Sequence, residues 1–210
     1  MPRNQELFDA ITRGDRKTVE SVVTKALEEN VNAAELLNES MIPAMRDIGD
    51  RFSRNEVYVP EMLIAARAMQ TGLNLIEPAL TDAGHEPLGR VCIGTVKGDL
   101  HDIGKNLVAM MMKGAGFAVD DLGVDCDIDK FEASVANGTK LICLSALLTT
   151  TMPYMKNVVE HFKDNPNVKV IIGGAPVTDE FAQEIGADGY GSDANDAVKV
   201  AERCLGLAAA

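Results

Sequence analysis

A chain of 210 residues that is 46% hydrophobic and 25% charged, with 18 glycines, has the composition of a globular protein with a sizeable core, not of a disordered segment. Thirty-two acidic against twenty basic residues give a formal net charge of −12, a field that opposes binding to a phosphate backbone, so no nucleic acid partner is expected. The amino terminus carries no signal-peptide stretch and no run approaches the ~18 apolar residues of a membrane span, while the four cysteines show no CxxC spacing; the expectation is a cytoplasmic protein with reduced thiols and no membrane partner.

In chain order, the first part reads as four helices, Asn4 to Thr12, Asp15 to Glu29, Asn32 to Phe52 and Val59 to Thr81, which together predict a four-helix bundle. The last places Leu63, Ala66, Met69, Leu73, Ile76 and Leu80 at steps of three and four, one apolar stripe. Asp15 is a candidate N-cap, and Pro60 is tolerated in a first helical turn. The stretch from Asp82 to Gly89 gathers two glycines, a proline and charges, and reads as a linker. It divides the chain into a helical domain, 1–88, and a second domain, 89–210.

Beyond Arg90 short apolar runs alternate with helical stretches. Strands are predicted at Val91 to Val96, Ala118 to Leu122, Leu141 to Ala146, Val168 to Ile172 and near Gly189, with helices at Ile103 to Lys113, Ile128 to Ala136, Tyr154 to Phe162, Asp179 to Ile185 and Ala194 to Leu205. Five strand-helix units imply an α/β fold: a five-stranded parallel sheet covered on both faces, flavodoxin-like or Rossmann-like. Ligands of such sheets bind outside the carboxyl ends of the strands, where the order reverses, which directs attention to the loops after strands one, three and four.

The first loop runs Gly98-Asp99-Leu100-His101-Asp102-Ile103-Gly104-Lys105-Asn106. Its glycines are five residues apart where a P-loop has four, Asn106 replaces the required Ser or Thr, and GxGxxG is absent, so both nucleotide readings fail. What remains is a histidine two residues after a carboxylate: either a loop side chain capping backbone groups, or a metal ligand whose tautomer Asp99 fixes. The second loop follows Ser145-Ala-Leu147-Leu-Thr149-Thr150-Thr151, dense in hydroxyls that also serve as turn and cap donors. The third is Gly173-Gly174-Ala175, where small residues allow close backbone approach or a tight left-handed turn. The methionines at 110–112 read as packing, because consecutive helical residues cannot converge on one ion. The acidic residues from Asp120 to Asp129 lack the EF-hand pattern.

Taken together, Asp99-x-His101-x-x-Gly104, then Ser145-x-Leu147 after 40 residues and Gly173-Gly174 after 25 more, resemble the DxHxxG, SxL and GG pattern of cobalamin-binding proteins. The resemblance covers nearly the whole chain, since the corrinoid proteins of methyltransferase systems and the cobalamin module of methionine synthase place a helical bundle before this fold. It implies a cobalamin cofactor, methylcobalamin or a related corrinoid, with His101 replacing the cofactor's own base below cobalt. The nucleotide tail would thread between the second and third loops, where Ser145, Leu147, Thr149, Gly173, Gly174 and Ala175 are the candidate contacts. Gly98, Asp99, Asp102, Ile103 and Gly104 complete the cofactor-binding set beside His101. Thr151 lies where methionine synthase has the serine of a His-Asp-Ser relay, so the implied ligand relay is Asp99, His101 and Thr151. Phe52 and Val59 match positions that cap the upper corrin face in those relatives.

The function implied is a methyl-carrier subunit: a substrate-specific methyltransferase loads the cobalt, and a second methyltransferase passes the methyl group to a folate or a thiol, with a reductive activase as a further partner. His101 would leave and return as cobalt changes oxidation state, with Asp99 supporting its protonated form, and Gly84 and Gly89 would make the linker a hinge. Nothing in the chain resembles a substrate-binding barrel, so no complete enzyme is expected. The alternative is a cobalamin-dependent sensor or regulator; a DNA-binding or signalling segment, which it would need, is not legible. The methyl donor is not encoded in these motifs.

Overall fold

Three of the first helices begin on a short polar side chain that accepts a backbone N–H, one of the donors a helix leaves unpaired at its start. Asn4 accepts from Leu7 N at 3.0 Å, Asp15 from Thr18 N at 3.1 Å and Asn32 from Ala34 N at 2.8 Å. The computed structural model describes residues 2–207 and divides into two units, 2–86 with 114–116, and 87–113 with 117–207.

The first unit holds α1 (Gln5–Arg13), α2 (Arg16–Glu28), α3 (Ala33–Leu36), α4 (Ile42–Ser53) and α5 (Val59–Asp82). The single helix expected over Asn32 to Phe52 is interrupted by a π-helical turn, Leu37–Met41. Ile42 N–H donates to Leu37 O, five residues back, and the next residue, Pro43, has no N–H to continue a regular ladder. The apolar stripe of α5 is also turned from its expected centre. Met62, Ala65, Met69, Gly72 and Ile76 are fully buried, while Leu63, Leu73 and Leu80 are only half-buried flanks. The small residues mark the line of closest approach: a Cβ on Gly72 would lie 2.7 Å from Met41 Cε and 3.2 Å from Val19 Cγ1.

The second unit alternates β1 (Arg90–Thr95), α6 (Ile103–Gly114), β2 (Ala118–Asp121), α7 (Ile128–Ala136), β3 (Leu141–Ser145), α8 (Pro153–Phe162), β4 (Lys169–Gly173), α9 (Asp179–Ile185), β5 (Gly189–Gly191) and α10 (Ala194–Cys204). The sheet is wholly parallel in the order β2-β1-β3-β4-β5, as the strand-helix alternation implied. The central strands β1, β3 and β4 are largely apolar because helices cover both faces, whereas the edge strand β2 ends on the exposed Asp120 and Asp121. On one face Cys92, Ile142, Leu144, Val170 and Ile172 join a cluster with Phe131, Met155 and Val158 from α7 and α8. The alternate residues, Val91, Ile93, Leu141, Cys143 and Ile171, point to the other face and are equally buried.

Register brings the functional loops to one rim. Thr95 stands opposite Ser145, Ser145 opposite Gly173, and Gly173 opposite Gly191, so these strand ends lie level. Strand order reverses between β1 and β3, the switch point at which such sheets bind ligands. Gly89, expected as part of a hinge, is packed instead: a Cβ there would meet Leu205 Cδ1 at 3.2 Å and Phe117 Cδ1 at 3.7 Å. Gly84 is left-handed at φ +67°, donates its N–H to Thr81 O at 3.0 Å, and a Cβ there would meet nothing within 4 Å.

Candidate functional site

Asp99 is the organising residue of the rim. It follows a turn at Gly98 (φ +85°), and its side chain is wholly buried among donors. Oδ1 accepts His101 N–H at 3.1 Å and lies 2.7 Å from His101 Nδ1; Oδ2 accepts Leu147 N–H at 2.8 Å, Leu148 N–H at 3.2 Å and the Thr151 hydroxyl at 2.8 Å. One carboxylate therefore ties the loop after β1 to the loop after β3. Burial pushes its carboxyl up, but the bonds from Leu147, His101 and Thr151 outweigh burial and hold it well below the usual carboxylate range.

An ionised Asp99 makes Nδ1 of His101 the donor, which leaves Nε2 with a lone pair on the far side of the ring. That ring is half-exposed. Thr151 is buried, and its hydroxyl also lies 2.8 Å from Leu148 O, so its single proton goes to one acceptor at a time. The expected trio of Asp99, His101 and Thr151 is thus assembled by direct hydrogen bonds.

The surroundings of His101 are apolar and exposed. Leu100 is 72% exposed and Ile103 80%, with Leu147 and Leu148 also projecting from the rim. Leu100 and Leu148 were not singled out from sequence, where they read as ordinary loop residues. An exposed apolar patch around a polar group marks a surface that a ligand covers. Gly104 adds to this: a Cβ there would meet no protein atom within 4 Å, so space lies open above the first turn of α6. Asp102 turns its carboxylate to the Asn106 side chain, 3.0 Å away. Lys105, only 2% exposed, reaches Asp121 at 2.5 Å and anchors α6 to the end of β2. Burial pushes the Asp121 carboxyl up, and the Lys105 ammonium overcomes that and lowers it.

Ser145 is half-buried at the end of β3, and Thr149 and Ala175 are exposed. Gly174 has φ +131°, outside the left-handed helical turn that sequence alone allowed, and a Cβ there would fall 1.9 Å from Ala146 O. The close approach is therefore between the loops after β4 and β3 themselves. In the helical unit, Phe52 is half-buried near the end of α4, Val59 starts α5 exposed, and Tyr58 beside it is more exposed still.

Two further contacts escaped the sequence. The Thr95 hydroxyl, fully buried, donates to His101 O at 2.7 Å. Asp125, on the loop after β2, accepts Gly98 N–H at 2.7 Å. The first closes the loop after β1 back onto the end of its own strand and the second joins residues 27 apart, and no motif announces either.

Among the described residues no three His, Cys, Asp or Glu side chains gather to hold a free ion. One imidazole is the donor set offered, which suits a metal whose equatorial positions a macrocycle already fills. No helix is long and apolar enough to cross a membrane.

Comparison with known proteins agrees with this geometry. A B12 binding domain family matches residues 89–199, and a second B12 binding domain family matches residues 3–77. A corrinoid protein of Desulfitobacterium hafniense is 36% identical over 208 residues, covering 96% of both chains. The trimethylamine corrinoid protein of Methanosarcina barkeri is 38% identical, covering 95% of this chain and 94% of the other. A chain of the methanol:cobalamin methyltransferase complex MtaBC from the same organism superposes with a TM-score of 0.85 at 26% identity, covering 96% of this chain and 78% of that one.

Proposed function

Because the chain belongs to the corrinoid proteins of methyltransferase systems and binds a cobalamin-type corrinoid, we propose that His101 is the lower ligand to cobalt in a subunit that carries methyl groups between two methyltransferases. The observation that carries the ligand assignment is the pairing of His101 Nδ1 with a buried, ionised Asp99, which presents Nε2 from an apolar rim.

When bound, the corrinoid supplies a cobalt that accepts a methyl group and later gives it up. The chain's residues do the rest. Asp99 fixes the imidazole tautomer and ring plane, and offers a negative charge beside His101 when the ring is off the metal and protonated. Thr151 and the amides of Leu147 and Leu148 hold Asp99 in place. Leu100, Ile103 and Leu147 offer an apolar bed to a flat macrocycle, with Gly98, Asp102 and Gly104 around it. Ser145, Thr149, Gly173, Gly174 and Ala175 line the path assigned to the nucleotide tail. Residues 1–88 act as the cap domain, with Phe52 and Val59 as the residues assigned to shelter the methyl group, and 89–210 as the cofactor domain.

A substrate-specific methyltransferase is the loading partner, a reading supported by the relatives named for trimethylamine and methanol systems. A second methyltransferase takes the methyl group to a folate or thiol, and a reductive activase restores over-oxidised cobalt. The free thiols suit a reducing cytoplasm. The test is the visible spectrum of protein reconstituted with hydroxocobalamin, wild type against His101→Ala. A nitrogen-ligated spectrum in the wild type that becomes base-off in the variant supports the assignment, and identical spectra refute it.

A further inference from the structure

The loop that carries His101 has no regular secondary structure between Val96 and Ile103, so its shape depends on what grips its backbone. Asp125 grips it twice. Its Oδ1 accepts Gly98 N–H at 2.7 Å, and its own N–H donates to Asp99 O at 3.0 Å. These are consecutive residues of the loop, immediately before Leu100 and His101. To make both bonds Asp125 adopts φ +50°, a left-handed conformation that most L-residues avoid. Such strain persists only where the surroundings over-determine it. Either side of Asp125 the connection is fastened to β1: Thr95 N–H donates to Gly123 O at 3.0 Å and Cys126 N–H to Thr95 O at 2.9 Å. Thr95 in turn holds His101 O. The loop after β2 is thus a rigid frame with one exposed carboxylate turned onto the histidine loop.

We propose that Asp125 is a positioning residue for the axial ligand: by clamping Gly98 and Asp99 it sets the height of the His101 imidazole above the rim and so favours cobalt ligation over release. The proposal rests on the assignment of His101 as lower ligand.

Two substitutions separate the side-chain bond from the backbone conformation. Asp125→Gly keeps the left-handed φ without strain but removes the acceptor. Asp125→Asn keeps an acceptor oxygen, tolerates the same φ and removes the charge. The readout is electron paramagnetic resonance of the cobalt(II) form of each cobalamin-loaded protein, prepared from uniformly nitrogen-15-labelled chain. A protein imidazole then splits the cobalt lines into doublets, whereas the cofactor's own unlabelled base splits them into triplets.

The expected result is doublets in the wild type, a ratio of ligated to unligated cobalt about fivefold lower in Asp125→Gly, the size of one ordinary hydrogen bond, and a wild-type ratio in Asp125→Asn. Thermal unfolding of each apoprotein checks that the fold survives; because Asp125 is exposed, both variants should fold. An unchanged ratio in Asp125→Gly overturns the proposal. An equal loss in both variants also overturns it, because charge and not the clamp would then be responsible. A wild type without doublets defeats the His101 assignment itself, a distinguishable failure.

Discussion

Replacing Gly104 with alanine separates what the fold requires from what the cofactor requires. Gly104 is the second residue of α6, has no left-handed φ, and a Cβ there would touch nothing within 4 Å. Alanine is the better helix former by about 0.5–1 kcal/mol, so the apoprotein should become more stable. For a chain of this size that gain raises the melting temperature by about 1–4 °C. The added methyl group occupies the open space beside Ile103 where the macrocycle is proposed to lie. Overpacking of a fitted surface costs about 1–3 kcal/mol, and each 1.4 kcal/mol is about tenfold in affinity, so hydroxocobalamin should bind at least about fivefold more weakly. The assays are thermal unfolding of the apoprotein and a spectrophotometric titration with hydroxocobalamin. A lower melting temperature, or affinity equal to wild type, would refute the reasoning.

The other expectations concern the relay and the thiols. Thr151→Val keeps the shape but leaves Asp99 one donor short, and should destabilise the apoprotein by about 1–3 kcal/mol in urea unfolding; Thr151→Ser, which keeps the hydroxyl, should lie within about 0.5 kcal/mol of wild type, and equal stabilities for the two variants would contradict the bond to Asp99. Burial pushes the Cys92 thiol up to about 12 and raises Cys126 and Cys143 as well. At pH 8 a disulfide reagent should therefore label no more than Cys204 rapidly in the folded protein and all four cysteines after denaturation. Rapid labelling of two or more thiols in the folded state would show that these strands are less closed than described.

Much of this was legible in the sequence because the signals are local. Apolar runs of five or six residues mark β1, β3 and β4, the shorter β2 and β5 fall at the places the alternation leaves for them, and the parallel order follows from helices in every connection. Asp15 capped the helix it was expected to cap. Asp99 lies within hydrogen-bond distance of both His101 and Thr151, the residues the resemblance grouped with it. Ala66, Met69 and Ile76 of the expected α5 stripe are buried, but its centre was displaced because alanine and glycine carry little hydrophobic signal, although small size is what lets α5 approach its neighbours. The π-helical turn was not legible, since it arises from what Pro43 cannot donate, an effect felt several residues earlier. Asp125 and Lys105 were assigned no contact from sequence. Their roles come from partners 27 and 16 residues away that only the folded sheet brings near.

Asp99 accepts five hydrogen bonds with two oxygens, about as many as a carboxylate's lone pairs can serve. Any proton added to it must evict a donor, and the donors include the amides that shape the neighbouring loop. Asp99 therefore stays ionised until the medium is strongly acidic and does not serve as a carrier of protons. The same crowding gives its contribution to stability a direction in pH. Because the folded-state value is depressed, that contribution is complete above the ordinary carboxylate range, and it drains away only as acid carries the protein down towards the depressed value. The loops after β1 and β3 should consequently hold their mutual arrangement through mild acidification, and come apart together when Asp99 finally accepts a proton.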